Sequence, residues 1–158
     1  MDFRIIDLPE TSVIGKEGLC TPEKNVVQDL WAEANGNFAE VAELAKKNEE
    51  GTLVACWGAM SDESMNFRPW TESFSRGYYL AGVEVNDSAE APKGWTKWTM
   101  PARKYLVVDV EFETYMQTFT EVLSKVIPEN GFELDGAVCD FTDPANGQNR
   151  LYFPVKEI

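Results

Sequence analysis

Hydrophobic and polar residues alternate most clearly over residues 78–85, where aromatic and β-branched side chains predict a β-strand. One face of this strand suits a hydrophobic core and consists of Tyr79, Ala81, Val83 and Val85. The other face is mixed and consists of Tyr78, Leu80, Gly82 and Glu84. A loop containing Trp70 and Glu72 precedes the strand. The mixed face and this loop predict a small-molecule pocket, which needs apolar walls and a few placed charges. The alternative is an ordinary edge strand with Glu84 in solvent.

Other stretches show helical spacing of their apolar residues. Thr21-Pro22-Glu23 is typical of a helix start, and an apolar stripe then runs to Ala34. A shorter amphipathic helix is predicted over residues 38–45, and another over residues 114–126. Further strands are predicted at residues 3–6, 12–15, 52–60, 105–112, 132–141 and 150–156.

The order of these elements repeats weakly along the chain. Residues 54–56 parallel residues 137–139, and each half contains strand, helix, strand and strand in turn. We therefore predict one α+β domain over residues 1–158, with pseudo-repeats at about 1–88 and 94–158. The two modules would form one curved antiparallel sheet with helices on one face. A central groove between the modules is then the expected ligand site.

Charge and composition narrow the possible functions. The chain has 14 Lys+Arg against 27 Asp+Glu, a net charge of −13, so direct binding of nucleic acid is not expected and cationic ligands are favoured. There is no histidine, which excludes Ser-His and Cys-His nucleophile pairs and histidine metal sites. We predict neither a metal nor a cofactor, and any acid–base chemistry would rest on Asp, Glu, Tyr, Lys or Cys.

Cysteine usage and the N-terminus favour a cytoplasmic location. Cys20, Cys56 and Cys139 are odd in number and lack CxxC spacing, which favours buried thiols in a reducing compartment. No secretory signal pattern is present, and no apolar run approaches the ~18 residues of a membrane span. A strand predicted to begin at residue 3 leaves no room for a helix-turn-helix, so a regulatory role would need a partner protein.

Aromatic and charged side chains outside the predicted helices are the candidates for ligand binding. Aromatic surfaces that would attract a cation are Trp57, Trp70, Trp95, Trp98 and Tyr152. Glu84 is the predicted pocket carboxylate, with Glu72 as the second choice, and Tyr78 and Leu80 share the face of Glu84. Asp140 follows Cys139 and therefore points to the opposite face of the predicted strand. Arg150 could reach it across a hairpin. That pair is either a structural ion pair or part of the ligand site.

Three segments together resemble the GyrI-like effector-binding domain. The first is Pro101-Ala102-Arg103-Lys104-Tyr105. The second has the pattern Gly-x-Tyr-x-x-Gly-Val-x-Val and contains Gly77, Tyr79, Gly82, Val83 and Val85. The third is the ending with Tyr152, Pro154, Val155 and Lys156. Their order and spacing extend from about Phe3 to Lys156. This domain is attached to AraC-type and MerR-type regulators and also occurs alone. The resemblance implies two fused strand–helix–strand–strand modules and a central pocket for lipophilic, often cationic, small molecules.

The chain departs from that family at one position. A glutamate often precedes the aromatic pair of the last strand and meets the ligand's charge, whereas Arg150 stands there in this sequence. Glu84, Glu72, Asp109 or Asp140 are the carboxylates that would take its place. We predict a standalone effector-binding protein that binds a lipophilic, cationic or aromatic small molecule in a groove between the two modules, and the sequence leaves open whether it also catalyses a reaction. Two alternatives remain open: a small hydrolase of electrophilic natural products that uses a pocket carboxylate, and a gyrase-inhibitor-like module that binds another protein.

Overall fold

Nine β-strands carry the fold in the computed structural model, which describes all of residues 1–158. In chain order they are β1 (Arg4–Leu8), β2 (Thr11–Cys20), β3 (Cys56–Ser61), β4 (Gly77–Val85), β5 (Thr96–Met100), β6 (Arg103–Val110), β7 (Phe132–Leu134), β8 (Cys139–Thr142) and β9 (Asn149–Glu157). Every pairing is antiparallel, in the order β1-β6-β9-β8-β3-β4-β2-β5, and the short β7 pairs with β9 outside this path.

The two halves of the sheet are arranged symmetrically. The order is the same from either edge once β1 is exchanged for β5, β2 for β6, β3 for β8 and β4 for β9. β1 pairs with β6, and β5 pairs with β2, so the first strand of each half joins the sheet of the other half. The halves meet where Gly58 of β3 lies opposite Asp140 of β8. The predicted α+β fold of two repeated modules in one antiparallel sheet is confirmed.

The main helices lie on one face of the sheet, as predicted. They are α1 (Val27–Gly36), α2 (Tyr115–Glu121) and α3 (Ile127–Glu129), with a π-helical turn (Val122–Val126) joining α2 to α3. Shorter helical turns occur at Phe38–Glu40, Thr71–Phe74 and Phe112–Thr114. α1 packs on the β4 side chains Tyr79 and Ala81, whereas the α2–α3 region packs on Leu106 of β6 and Phe153 of β9. No helix combines the length and hydrophobicity that crossing a lipid bilayer requires.

Pro128 explains the wide turn between α2 and α3. A proline has no N–H to donate to the carbonyl four residues earlier, here that of Ser124, and its ring needs room at that carbonyl. The backbone widens into the π-helical turn directly before it, and the helix continues instead of ending. This keeps Ser124 and Leu123 over the sheet, where both line a groove described below.

The opposite face of the sheet, here called the concave face, curls around its own hydrophobic core. The sheet bends so far that the sulfur of Met100 on β5 lies 3.7 Å from that of Cys139 on β8. Trp57, Leu80 and Trp98 are buried there. The loop after β3 closes this core with Phe67, whose ring meets Trp98 edge-on at 5.9 Å between centroids.

Two predicted helical features differ from the structure. Thr21 does not begin a helix, because β2 continues through Cys20 and the Thr21 hydroxyl then accepts the Lys24 N–H of a tight turn at 3.2 Å. α1 begins at Val27, whose N–H donates to the Asn25 side chain at 2.9 Å. The helix predicted over residues 38–45 is only the turn Phe38–Glu40, after which Ala45 pairs with Val85 of β4.

Candidate functional site

A groove of about 1020 Å³ lies between α1 and α2, above the seam where the two halves of the sheet meet. Its walls come from both halves: Trp31 on α1, Tyr115 and Phe119 on α2, and Leu123 on the π-helical turn. Fourteen of its 25 lining residues are hydrophobic. This volume and this lining are typical of small-molecule sites.

Asp140 is the carboxylate at the floor of this groove. The Tyr79 hydroxyl of β4 donates to Asp140 Oδ2 at 2.8 Å, and the Tyr115 hydroxyl of α2 donates to Oδ1. Trp31 Nε1 of α1 donates in turn to the Tyr79 hydroxyl at 2.9 Å. One hydrogen-bonded chain therefore ties both walls of the groove to its floor, and the carboxylate is the shared acceptor.

The electrostatics of this cluster follow from its burial. Burial raises the pKa of the Asp140 carboxyl above its ordinary value, although the hydrogen bonds from Tyr115 and Tyr79 oppose the shift. Burial beside this carboxylate also raises the pKa of both the Tyr79 and Tyr115 phenols, so these groups remain protonated donors. No lysine or arginine forms an ion pair with this carboxyl, although Arg150 also lines the groove. Asp140 is therefore an acidic group without a paired cationic side chain in a largely apolar groove.

Gly58 makes room for this cluster. It lies opposite Asp140 and next to Tyr79, and a Cβ at this position would collide with the Tyr79 hydroxyl. Because Gly58 has no side chain, the Tyr79 hydroxyl can reach the Asp140 carboxylate across the seam.

We expect Gly58→Ala to push Tyr79 away from Asp140 and to lower the free energy of unfolding by about 1–3 kcal/mol, the usual cost of overpacking. Denaturant unfolding measures the loss. Gly36→Ala is the matched control, since a Cβ there meets nothing within 4 Å and its place at the end of α1 is not in the core. Equal stability of the two variants would contradict the packing described here.

A strained turn supplies the aromatic group at the mouth of the groove. Glu72, Ser73 and Phe74 have φ values of 52°, 58° and 63°, a left-handed conformation that non-glycine residues rarely adopt. The Trp70 indole beside the turn donates to the Tyr78 carbonyl at 3.0 Å, which anchors the segment to β4. Phe74 thereby reaches across from the first module and meets Phe119 of the second, with 5.4 Å between ring centroids.

Large apolar side chains around the mouth remain open to solvent. Phe112 is 75% exposed and Met116 is 64% exposed, and both line the groove together with the partly exposed Phe74. Exposed apolar side chains concentrated around a groove are typical of a surface that a ligand covers.

The groove brings together three of the residues predicted from the sequence: Trp70, Asp140 and Arg150. The remaining candidates lie elsewhere. Those on the concave face are Trp57, Tyr78, Leu80, Glu84, Trp98 and Tyr152. Trp95 packs beneath α1, and Glu72 is exposed and bonded to Arg76. The predicted position of Glu84 in the groove is not observed, because the helices cover the face of β4 that carries Tyr79.

The three tryptophans outside the groove use carboxylates as internal hydrogen-bond partners. Trp57 donates to Glu84 at 2.9 Å, Trp95 to Glu40 at 2.9 Å, and Trp98 to Glu17 at 2.7 Å. Lys46 also lies 3.5 Å from Glu84. The proximity of indoles and acidic groups, which suggested a cation site, therefore satisfies buried N–H groups at these three positions.

Arg150 does not pair with Asp140. Its guanidinium donates to Asp109 at 3.1 Å, lies 3.8 Å from Asp143, and sits over the Phe141 ring at 5.4 Å. Register explains this geometry, since Arg150 faces Asp109 and Phe141 on the neighbouring strands whereas Asp140 faces Leu151. The ion pair considered from the sequence is absent, and the partners of Asp140 are the Tyr79 and Tyr115 hydroxyls instead.

Sequence reasoning missed the groove residues Trp31, Tyr79, Tyr115 and Phe119. Alternation along β4 groups Tyr79 correctly with Ala81 and Val83, but it indicates only a core role for these residues. The signal that could have found it is the helix placement: helices on one face of a two-module sheet leave a gap over the seam on that same face.

Comparison with known proteins agrees with this geometry. The family described as "Cass2: Integron-associated effector binding protein" matches residues 4–155. The transcriptional regulator BrlR of Pseudomonas aeruginosa is 26% identical over 167 residues, a match that includes 98% of this chain. The chain spans 56% of the length of BrlR.

Two solved structures show the same fold. SAV2435 bound to tetraphenylphosphonium has a TM-score of 0.67 at 15% identity, with 99% of this chain and 94% of that chain covered. The EcmrR C-terminal domain has a TM-score of 0.67 at 13% identity, with 99% and 98% covered. With the matched family covering nearly its whole length, the chain belongs to the integron-associated effector-binding family, which is part of the GyrI-like group.

Proposed function

We propose that this protein binds a lipophilic cation in the groove between α1 and α2, with Asp140 as the counter-charge. The observation that carries the proposal is the Asp140 carboxylate, which is paired with no cationic side chain. The one cationic residue that lines the groove, Arg150, is itself paired with Asp109 and Asp143. An ionised carboxylate in such surroundings is unfavourable until a positive group joins it. A bound cation supplies that group.

The walls of the groove suit the apolar part of such a ligand. The aromatic rings of Trp31, Tyr115 and Phe119 present faces and edges to it, and aromatic faces attract cations by about 0.5–2 kcal/mol. The net charge of −13 draws cations toward the protein and disfavours direct contact with DNA. The neighbour SAV2435, described as bound to tetraphenylphosphonium, supports this ligand class.

The test compares tetraphenylphosphonium with tetraphenylborate, an anion of nearly the same shape. We expect the cation to quench tryptophan fluorescence, because Trp31 and Trp70 line the groove. We also expect it to raise the melting temperature, with a stabilisation of about 2.7 kcal/mol at a hundredfold excess over Kd. Tetraphenylborate should do neither. Equal binding of both ions would overturn the role of charge, and binding of neither would overturn the groove as the site.

Carboxylate-dependent hydrolysis is the second candidate. The raised pKa of Asp140 and its two phenol partners are features of a general acid that protonates a leaving group. Incubation with an electrophilic small molecule, followed by product detection, separates the two functions. A binding protein leaves the compound intact, whereas a hydrolase turns it over and loses that activity in Asp140→Asn.

A further inference from the structure

A second cavity, here called the α1 cavity, lies beneath α1 and away from the groove. Its volume is about 160 Å³, and nine of its 11 lining residues are hydrophobic. It is walled by Phe38 and Trp95, roofed by Ala34 of α1, and floored by Cys56 and Val83 of the sheet. The α1 cavity and the groove share only one lining residue, Trp31, whose indole separates them.

We propose that the α1 cavity is a second binding site, for a single-ring aromatic molecule. An apolar protein cavity of about 150 Å³ takes up benzene, so the volume of the α1 cavity, which is partly open to solvent, matches one ring. The groove, at about 1020 Å³, is several times larger and would not select so small a molecule. The only polar side chains in the lining are the Asn35 amide and the Cys56 thiol, so no charged group is present to pair with a charged occupant, and a neutral one is favoured.

The aromatic lining sets the chemical class. Trp31, Phe38 and Trp95 offer ring edges and faces to an arene, and such pairs are stabilising beyond simple burial of apolar area. Trp31 is fixed by its hydrogen bond to the Tyr79 hydroxyl at 2.9 Å, and Trp95 by its bond to Glu40 at 2.9 Å. Two of the three rings are thus held in place before a ligand arrives.

Cys56 gives this site a built-in reporter. Cys56 is partly exposed, whereas Cys20 is 0% exposed and Cys139 is 3% exposed. Because Cys56 lines the α1 cavity, an arene inside it covers the thiol. The experiment therefore measures the rate at which methyl methanethiosulfonate modifies Cys56 in the full chain, read by mass spectrometry, with and without toluene.

We expect toluene to slow the modification of Cys56 in proportion to the occupied fraction, to half the rate at its Kd. The filling variant Ala34→Leu should slow the basal modification and abolish the toluene effect. Ala32→Leu is the matched control, since Ala32 is exposed on the same helix, and it should behave as wild type.

Two results would overturn the proposal. One is an unchanged rate for the wild-type protein in water saturated with toluene, a measurement that needs no variant to fold. The other is toluene protection that persists in a folded Ala34→Leu variant, which would place the arene elsewhere. Neither measurement involves a cation, so the outcome is independent of the function proposed for the groove.

Discussion

Replacing Trp57 by alanine is expected to lower the free energy of unfolding by about 3–5 kcal/mol, the range for removing a large aromatic side chain from a core. Trp57 is 2% exposed at the centre of the concave face. The centroid of its ring lies 5.0 Å from that of Phe141 and 4.9 Å from that of Tyr152, and both pairs meet edge to face. The substitution also removes the indole N–H that Glu84 accepts, leaving only Lys46 beside that carboxylate.

Denaturant unfolding of Trp57→Ala, with the slope of the transition unchanged, measures this loss. Trp31→Ala is the informative comparison, because Trp31 is only half-buried and lines the groove. We expect that variant to lose less stability and more of the quenching by tetraphenylphosphonium. A Trp57→Ala protein of normal stability that no longer bound the cation would instead assign Trp57 to the ligand site.

Asp140→Asn is expected to weaken binding of tetraphenylphosphonium by about 1.5–3 kcal/mol, or roughly 10- to 150-fold, because it removes the charge while keeping the shape. Titration of fluorescence or heat measures the change. Glu84→Gln is the matched control, since Glu84 is a carboxylate on the other face of the sheet, and it should leave the affinity unchanged. Equal losses in the two variants would mean that only the overall charge of the protein matters.

The pH dependence should identify the same group. Because the pKa of the Asp140 carboxyl is raised, cation affinity should begin to fall at a higher pH than for an exposed aspartate, and Asp140→Asn should show no such fall. The stability of the ligand-free protein should change with pH in the opposite direction. A raised folded-state pKa contributes stability below the unfolded value, near 3.8, and this contribution is lost as the pH rises through the folded value. At neutral pH, Asp140→Asn should therefore be at least as stable as the wild type.

Alternation along β4 was sufficient to separate its two faces, and the structure keeps Tyr79, Ala81 and Val83 together. It did not indicate which face carries the groove, since that depends on where α1 and α2 settle. The hydrogen bonds between indoles and carboxylates could not be predicted for a related reason. Trp57, Trp95 and Trp98 bond glutamates that are 27, 55 and 81 residues away in the chain, and no local pattern reports such pairings. The alternation of Asp140 with Cys139 is a local signal, and the structure keeps Cys139 in the core on the opposite face from the groove.

The exchange of first strands has a consequence for how the chain acquires its shape. β1 is complete by Leu8, but its partner β6 begins only at Arg103, so β1 has no neighbouring strand until β6 has been synthesised. Contacts between such distant segments slow folding, because a long loop must close before they form. Each half also needs the other to complete its sheet, which ties their folding into one cooperative event. The seam that holds Asp140 is then assembled only when both halves are present, so a half-folded chain lacks the groove.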